Sequence, residues 1–317
     1  MPELPETETI ARDLDREIRG CGITGVVVEK SDVLRGATPA ELAIRVIGRR
    51  VERAWRRAKL VVLDLDPAGT GELRPEVRSA AEMIEMRNSD RRRGAPEGGA
   101  ITALSESAPG DRIVVQPRFT GALLLSRGPL PDAEAPYSTL HFVLDDGRDL
   151  HYRDIRRLGT VTVMSPDQFA DYSAKLGIEP LDPAFTDSHL SGILRGSRQA
   201  VKKVLMDQRV VVGIGNIYAN EACWRAGIDP SRSARTVSLD EAAALRAGIV
   251  GVLTESIAAR GTSFRDYRDA SGGRGDFERS LAVYGRGGEP CLRCGARLVE
   301  THVIDGRTTV LCAGCQR

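Results

Sequence analysis

Near the start of the chain, Ile10, Leu14 and Ile18 repeat every fourth residue, an apolar stripe that predicts a helix. The period then changes. GVVVEK, KLVVLDLD, DRIVVQPRF, GALLLSR, STLHFVLDD and RDLHYRD are short β-rich runs separated by Gly, Pro and Asp turns. They predict an antiparallel β domain built as a sandwich. From Ser165 the pattern is helical again. SPDQFADYSAKLG opens on Ser-Pro-Asp and stops at Gly, while LSGILRGSRQAVKKVLMD and SLDEAAALRAGIVGVLTESIAARG space their apolar residues by three and four. That pattern ends near Gly261, before the Gly-rich DASGGRGDF and a cysteine-bearing tail. The expected architecture is α+β and multidomain. It comprises a β-sandwich flanked by helices over 1–164, a helical domain over 165–262, and a loop with a C-terminal finger over 263–317. One stretch breaks the strand series: residues 67–110 are rich in Gly, Pro and charge, with a short helix predicted at Val77–Met86 and a basic triplet at Arg91–Arg93.

With 317 residues, 41% hydrophobic and 28% charged, the composition is that of a globular protein long enough for two cores. No apolar run approaches the eighteen or so residues that span a bilayer, so no membrane partner is expected. The N-terminus lacks the basic-then-apolar order of a signal peptide, and a cytoplasmic location is expected. A net charge of +1 does not by itself point to nucleic acid. Local clusters say more. Arg49–Lys59 carries six basic residues against one acid, and Arg195–Arg209 carries five against one. Either run alone reads as a solvated face; two runs and a basic tail favour a polyanion partner.

Four of the six cysteines fall in the last 27 residues. Cys291 and Cys294 form one C-x2-C pair, Cys312 and Cys315 another, and 17 residues separate them. That spacing suits four thiolates closing around one zinc ion, and a closed set of four leaves the metal structural. No organic cofactor is expected. Cys21 and Cys223 stand alone and read as small buried hydrophobes.

The opening MPELPETE holds two prolines and three glutamates in eight residues, an unusual density for a terminus. A helix starting near Pro5 would place Glu6 and Glu8 in its first turn, where carboxylates oppose the positive end of the dipole. The other reading is a catalytic N-terminus. VVVGIGNIYANEA raises a similar choice. Gly213 and Gly215 permit close approach of a ligand, and Asn216 opens a helix whose free amides suit a phosphate; a packed interhelical turn is the alternative.

Together, MPELPE, RRAK around Lys59, YRDIRRLG, LGIEPL, VVVGIGNIYANEA, VYGRGGEPC and the paired cysteines resemble the formamidopyrimidine-DNA glycosylase and endonuclease VIII family of bacterial base-excision repair enzymes. The resemblance covers nearly the whole chain in order, and Leu4 in the opening is similar to the formamidopyrimidine branch. It implies a helix-two-turn-helix in the second domain and a zinc ribbon at the C-terminus. It also implies damaged double-stranded DNA as partner, a monomer, and a location in the bacterial cytoplasm with the nucleoid. The implied nucleophile is Pro2, made a secondary amine by removal of Met1. A terminal amine has a pKa near 8 against about 10.4 for lysine, so about a tenth of it is unprotonated at neutral pH. Glu3 is the implied acid and base. Glu6 supports and orients the site, and Lys59 contacts DNA near the lesion from a hairpin tip. For Glu8 the dipole reading is kept.

Asn216 and Arg307 are expected to hold phosphates near an extruded nucleotide, with Lys202, Lys203 and Arg157 as further DNA contacts. A structural arginine on a hairpin is the alternative for Arg307. Phe119, Arg156 and Leu158 align with the three side chains that fill the gap left by the extruded base. Here the chain departs from the family, which uses methionine in place of Phe119 and phenylalanine in place of Leu158. Ser271–Phe277 aligns with the loop that closes over the base in the purine-specific branch, but its sequence is divergent. The expectation is a glycosylase and abasic-site lyase for oxidised purines, such as 8-oxoguanine and formamidopyrimidines. Its alternatives are an oxidised-pyrimidine glycosylase and a non-catalytic binder of damaged DNA.

Overall fold

The computed structural model describes residues 2–67, 110–262, 270 and 272–317. The helix expected at Val77–Met86, the Arg91–Arg93 triplet, Met1 and Ser271 lie outside the described residues. The chain divides into two compact units: one of Met1–Ala11, Arg56–Leu60 and Ala170–Arg317, the other of Arg12–Trp55 and Val61–Phe169. The division after Phe169 lies five residues beyond the boundary read from the sequence, and it groups the first residues and the Lys59 turn with the helices.

The sheet unit holds two four-stranded antiparallel sheets, as the short β-rich runs predict. Strands β1 (Ile23–Val28), β5 (Gly121–Ser126), β6 (Ser138–Leu144) and β7 (Asp149–Asp154) form one, in the order β1-β6-β7-β5. Strands β2 (Val51–Arg57), β3 (Leu60–Leu65), β4 (Arg112–Gln116) and β8 (Thr160–Met164) form the other, in sequence order. The register of β5 on β7 sets Gly121 opposite Asp154. A short helix, α2 (Pro39–Val46), begins with a capping box in which Thr38 and Glu41 exchange bonds.

Helix α1 (Leu4–Ile18) starts at the very end of the chain and buries Ile10, Leu14 and Ile18 completely, so the predicted stripe is its core face. Its first turn is pinned in the helical unit. Leu4 is fully buried in the core there, and its N–H donates to the Gly213 carbonyl at 3.0 Å. Burying a leucine stabilises by about 1.5–3 kcal/mol, which helps hold a terminus that would otherwise fray.

The helical unit continues with α3 (Pro166–Ala174), whose first residues fall before the division. Then come α4 (Asp187–Arg195), α5 (Val201–Met206), α6 (Asn216–Ala226) and α7 (Leu239–Ala258). Ser238 and Glu241 cap α7, and Gly227 ends α6 at φ +71°, the left-handed geometry that glycine tolerates. Phe185, Leu194, Leu205, Tyr218, Leu245 and Phe277 lie in its core. Beyond it, β9 (Val299–Thr301) and β10 (Thr309–Leu311) pair as a hairpin, with Cys291 and Cys312 among a small core of Val283, Leu298 and Val310. Cys223 is buried as expected. Cys21 is not: its thiol is part-exposed, 3.5 Å from the Asp146 carboxylate.

Candidate active site

Pro2 and Glu3 are both buried, against ordinary expectation for a terminus and for a carboxylate. The Glu3 carboxylate lies across the start of α6. It accepts the Gly215 N–H at 2.6 Å and the Ile217 N–H at 3.0 Å. The anion at this helix N-terminus is therefore Glu3, which corrects the expectation that these amides are free for a phosphate. Gly215 is required by that contact, since a Cβ there would lie 2.4 Å from the Glu3 carboxyl carbon. Gly213, at φ +80°, is pressed against Leu4 in the same way.

Glu6 is equally dry. One of its oxygens accepts the Glu3 N–H at 2.8 Å. The other accepts the Tyr218 hydroxyl at 2.5 Å and the Thr262 N–H at 2.8 Å. Tyr218 is bonded in turn to Ser256 and Thr262. Burial, and next the charge of Glu3, raise the Glu6 pKa against these donors. Its expected task of supporting Glu3 has a visible means, a bond to the backbone of residue 3. The first-turn reading of Glu8 is overtaken by an ion pair with Arg56 at 2.8 Å.

Lys59 occupies the two-residue turn between β2 and β3, the hairpin tip expected for it. Ala58 beside it has φ 55°, a left-handed backbone that costs energy in a non-glycine residue and must be held. Glu179 holds it. Its carboxylate accepts the Ala58 N–H at 2.8 Å and pairs with Arg56 at 2.7 Å and Arg57 at 2.9 Å. Arg57 also reaches Ser173 and the Gly177 carbonyl. Two arginines of the basic run are thus spent inside the protein, because Arg56 and Arg57 each have a carboxylate and a carbonyl within reach. Lys59 itself is half-buried. Burial lowers its pKa, and Arg307 adds to the lowering against the attraction of Glu3 and Glu6.

The hairpin of the C-terminal finger is fastened at the Thr308 carbonyl, which accepts from Lys202 Nζ at 2.8 Å and from Asn216 Nδ2 at 3.1 Å. Lys202 also donates to Thr309 at 2.7 Å and is fully buried, with its pKa lowered by burial to about 8. That corrects its reading as a DNA contact: the ammonium is committed to the finger. Lys203, next in sequence, is exposed and paired with Asp305 at 3.0 Å. Arg307 precedes the fastened carbonyl and is exposed.

The four finger thiols lie within 4.8 Å of one another, with Cys294 and Cys312 at 3.4 Å and Cys291 and Cys315 at 4.0 Å. A tetrahedral zinc site with Zn–S bonds of about 2.3 Å implies sulfurs about 3.8 Å apart, so the four fit the ion. Burial works against ionising Cys291, yet the Trp224 indole and the Arg293 and Cys294 amides bring its thiol down to about 6. Cys315 is pushed up to about 12, first by its bond to Cys294. A dication resolves that conflict by favouring all four thiolates.

In the sheet unit, Phe119, Arg156, Arg157 and Leu158 are all exposed, and Arg157 pairs with Asp32 at 3.0 Å. In the helical unit the structure brings together Pro2, Glu3, Glu6, Lys59, Asn216, Lys202 and Arg307. Sequence reasoning missed the Tyr218, Ser256 and Thr262 support and the Glu179 brace; only the motifs NIYANEA and LGIEPL marked their neighbourhoods. It also missed Glu221, fully buried on α6, whose carboxylate accepts the N–H groups of Ala282, Val283 and Tyr284 ahead of the finger.

A β-sandwich, a helical domain opening on a buried acid, and a four-cysteine finger define a class, the DNA repair glycosylases that carry a helix-two-turn-helix and a zinc ribbon. The model of the formamidopyrimidine-DNA glycosylase N-terminal domain matches residues 1–161, and that of the family's H2TH domain matches residues 176–268. Formamidopyrimidine-DNA glycosylase of Roseiflexus sp. (strain RS-1) is 36% identical over 320 residues, covering 100% of both chains. Lactococcus lactis Fpg, solved in complex with DNA containing an abasic site, superposes with a TM-score of 0.79 at 27% identity over 99% of each chain. The same enzyme with DNA containing N7-benzyl-Fapy-dG gives 0.79 at 26% over 100% of each. The chain belongs to the formamidopyrimidine-DNA glycosylase family. None of its described helices is long and apolar enough to cross a membrane.

Proposed function

We propose that this protein is a base-excision repair DNA glycosylase and abasic-site lyase that removes oxidised purines, acting as a monomer in the bacterial cytoplasm on nucleoid DNA. The observation that carries the chemistry is the buried Glu3 carboxylate, oriented by α6 and by Glu6 beside residue 2. With Met1 removed, the Pro2 nitrogen attacks C1′ of the damaged nucleotide, and the base departs with the electron pair of its glycosidic bond. The Glu3 carboxylate takes the proton that the Pro2 nitrogen sheds on attack and passes it to the ring oxygen as the sugar ring opens. The secondary amine can form only a cationic iminium, which acidifies the C2′ proton. Loss of that proton expels the 3′ phosphate, and a second elimination expels the 5′ phosphate.

Lys59, with its lowered pKa, can exchange protons or contact a phosphate beside the lesion. Asn216 and Arg307 hold the flanking phosphates, and Phe119, Arg156 and Leu158 fill the vacated stack. The four cysteines would hold one zinc ion, whose contribution is to fold the finger that carries Arg307.

The test is borohydride trapping on duplexes containing 8-oxoguanine, an oxidised pyrimidine or an abasic site, with the cross-linked residue mapped. A cross-link at Pro2 on 8-oxoguanine, lost in Glu3→Gln although that variant still binds the duplex, is the expected result. Stronger trapping on the oxidised pyrimidine would overturn the purine assignment. Tight binding with no trapping on any duplex would leave a non-catalytic binder.

A further inference from the structure

Two loops of the sheet unit, 117–120 before β5 and 155–159 after β7, carry the exposed Phe119, Arg156 and Leu158. They leave paired strands at the same end, where Gly121 faces Asp154. Beneath them Asp154 is almost completely buried, an expensive place for a carboxylate unless every acceptor is used. One of its oxygens accepts the Thr120 hydroxyl and, at 3.2 Å, the Arg156 N–H. The other accepts the Gly159 N–H at 2.8 Å and the Tyr152 hydroxyl at 3.3 Å. Thr120 closes the circuit, since its hydroxyl oxygen accepts the Arg156 N–H at 3.0 Å.

Both loops contain a strained residue that such bonds must hold in place: Arg118 and Arg157 each have φ 51°. Backbone packs closely at both loops, at positions where no side chain fits. A Cβ on Gly159 would lie 1.8 Å from the Tyr152 hydroxyl, and one on Gly121 would lie 2.4 Å from the Pro117 carbonyl. The exposed side chains alternate with these anchors. Phe119 directly precedes Thr120, and Leu158 directly precedes Gly159.

We propose that Asp154 and Thr120 clasp the two loops into one rigid wedge, making both positioning residues for insertion into the DNA stack. The proposal rests on the wedge reading of Phe119, Arg156 and Leu158. In free loops the three side chains would order independently on DNA; with the clasp they are pre-arranged, and binding energy goes into opening the base pair.

The experiment places 2-aminopurine opposite the lesion in a duplex and follows its fluorescence on mixing with the metal-loaded protein, beside single-turnover excision. Wild-type protein is expected to raise the signal as the base is unstacked. Thr120→Val, nearly isosteric, is expected to slow that rise and excision about tenfold, the scale of one lost bond to a charged group. Thr120→Ser should restore both. Asp154→Asn, whose amide nitrogen must face either the Gly159 or the Arg156 N–H, should do more damage than Thr120→Val. Thermal unfolding of Thr120→Val near the wild-type midpoint shows that the loss is not one of folding. A wild-type rise that Thr120→Val leaves unchanged overturns the clasp alone. No rise with wild type overturns the wedge reading and the clasp with it. A rise without excision leaves the clasp standing and rejects the glycosylase reading.

Discussion

Glu3 and Glu6 carry like charges into one dry region, and their surroundings separate their tasks. Glu3 faces the positive end of a helix, where two amides hold its carboxylate. Glu6 is surrounded by a hydroxyl and two amides and pushed toward its neutral form by burial and by Glu3. Lys202 makes a different trade. Its ammonium is buried at the joint of the finger with its pKa lowered to about 8. The folded protein therefore prefers Lys202 neutral while the unfolded chain keeps it charged up to its ordinary value. Stability from this group is complete above about pH 10.5 and is lost as pH falls through about 8. Lys202→Met should flatten the rise in stability between those pH values, by on the order of 3 kcal/mol in urea unfolding. An unchanged slope would show that the lysine is solvated in the native state.

Helix α6 does most of the assembly among the elements. Its N-terminus orients Glu3, its first residue reaches the Thr308 carbonyl, Tyr218 two residues on supports Glu6, and Glu221 holds the approach to the finger. Gly215 is where this arrangement has least room. Gly215→Ala drives a methyl group into the Glu3 carboxylate, the far end of a flexible side chain, so the fold survives and the acid is displaced. The expected result is loss of about 100-fold in excision rate with duplex affinity and unfolding midpoint near wild type. Excision at the wild-type rate would mean that the carboxylate finds its working position without α6.

For the whole molecule, net charge is a poor guide to where polyanions bind. Arg56 and Arg57 are neutralised by Glu8 and Glu179, and Lys203 by Asp305, so the free cationic surface is smaller than the basic runs suggest. The finger depends on its cysteines, since its own apolar core is small. Chelating the metal, or Cys312→Ser, should unfold the finger and release Thr308 from Lys202 and Asn216. Lesion-duplex affinity should then fall at least about tenfold while the sheet unit keeps its far-ultraviolet signal. Metal analysis finding no zinc in active protein would remove the ion from the account.

Periodicity and spacing were enough for the helix carrying Ile10, Leu14 and Ile18, for the strand runs, and for the cysteine cluster, because each depends on residues near one another in the chain. The motifs at 2–6, 59 and 213–218 located the site by resemblance. Tertiary structure alone decided what those groups touch. Lys202 reads as a surface charge until the finger closes over it, Glu8 as a dipole partner until Arg56 arrives from a hairpin, and the α6 amides as a phosphate site until Glu3 occupies them. Glu179, Tyr218 and Asp154 had no sequence signal of their own, since the hydrogen bonds that join Glu179 to Ala58, Tyr218 to Glu6 and Asp154 to Thr120 link distant parts of the chain and leave no period. Their cause is local and physical: a buried polar group must be paired, and only the folded chain determines its partner.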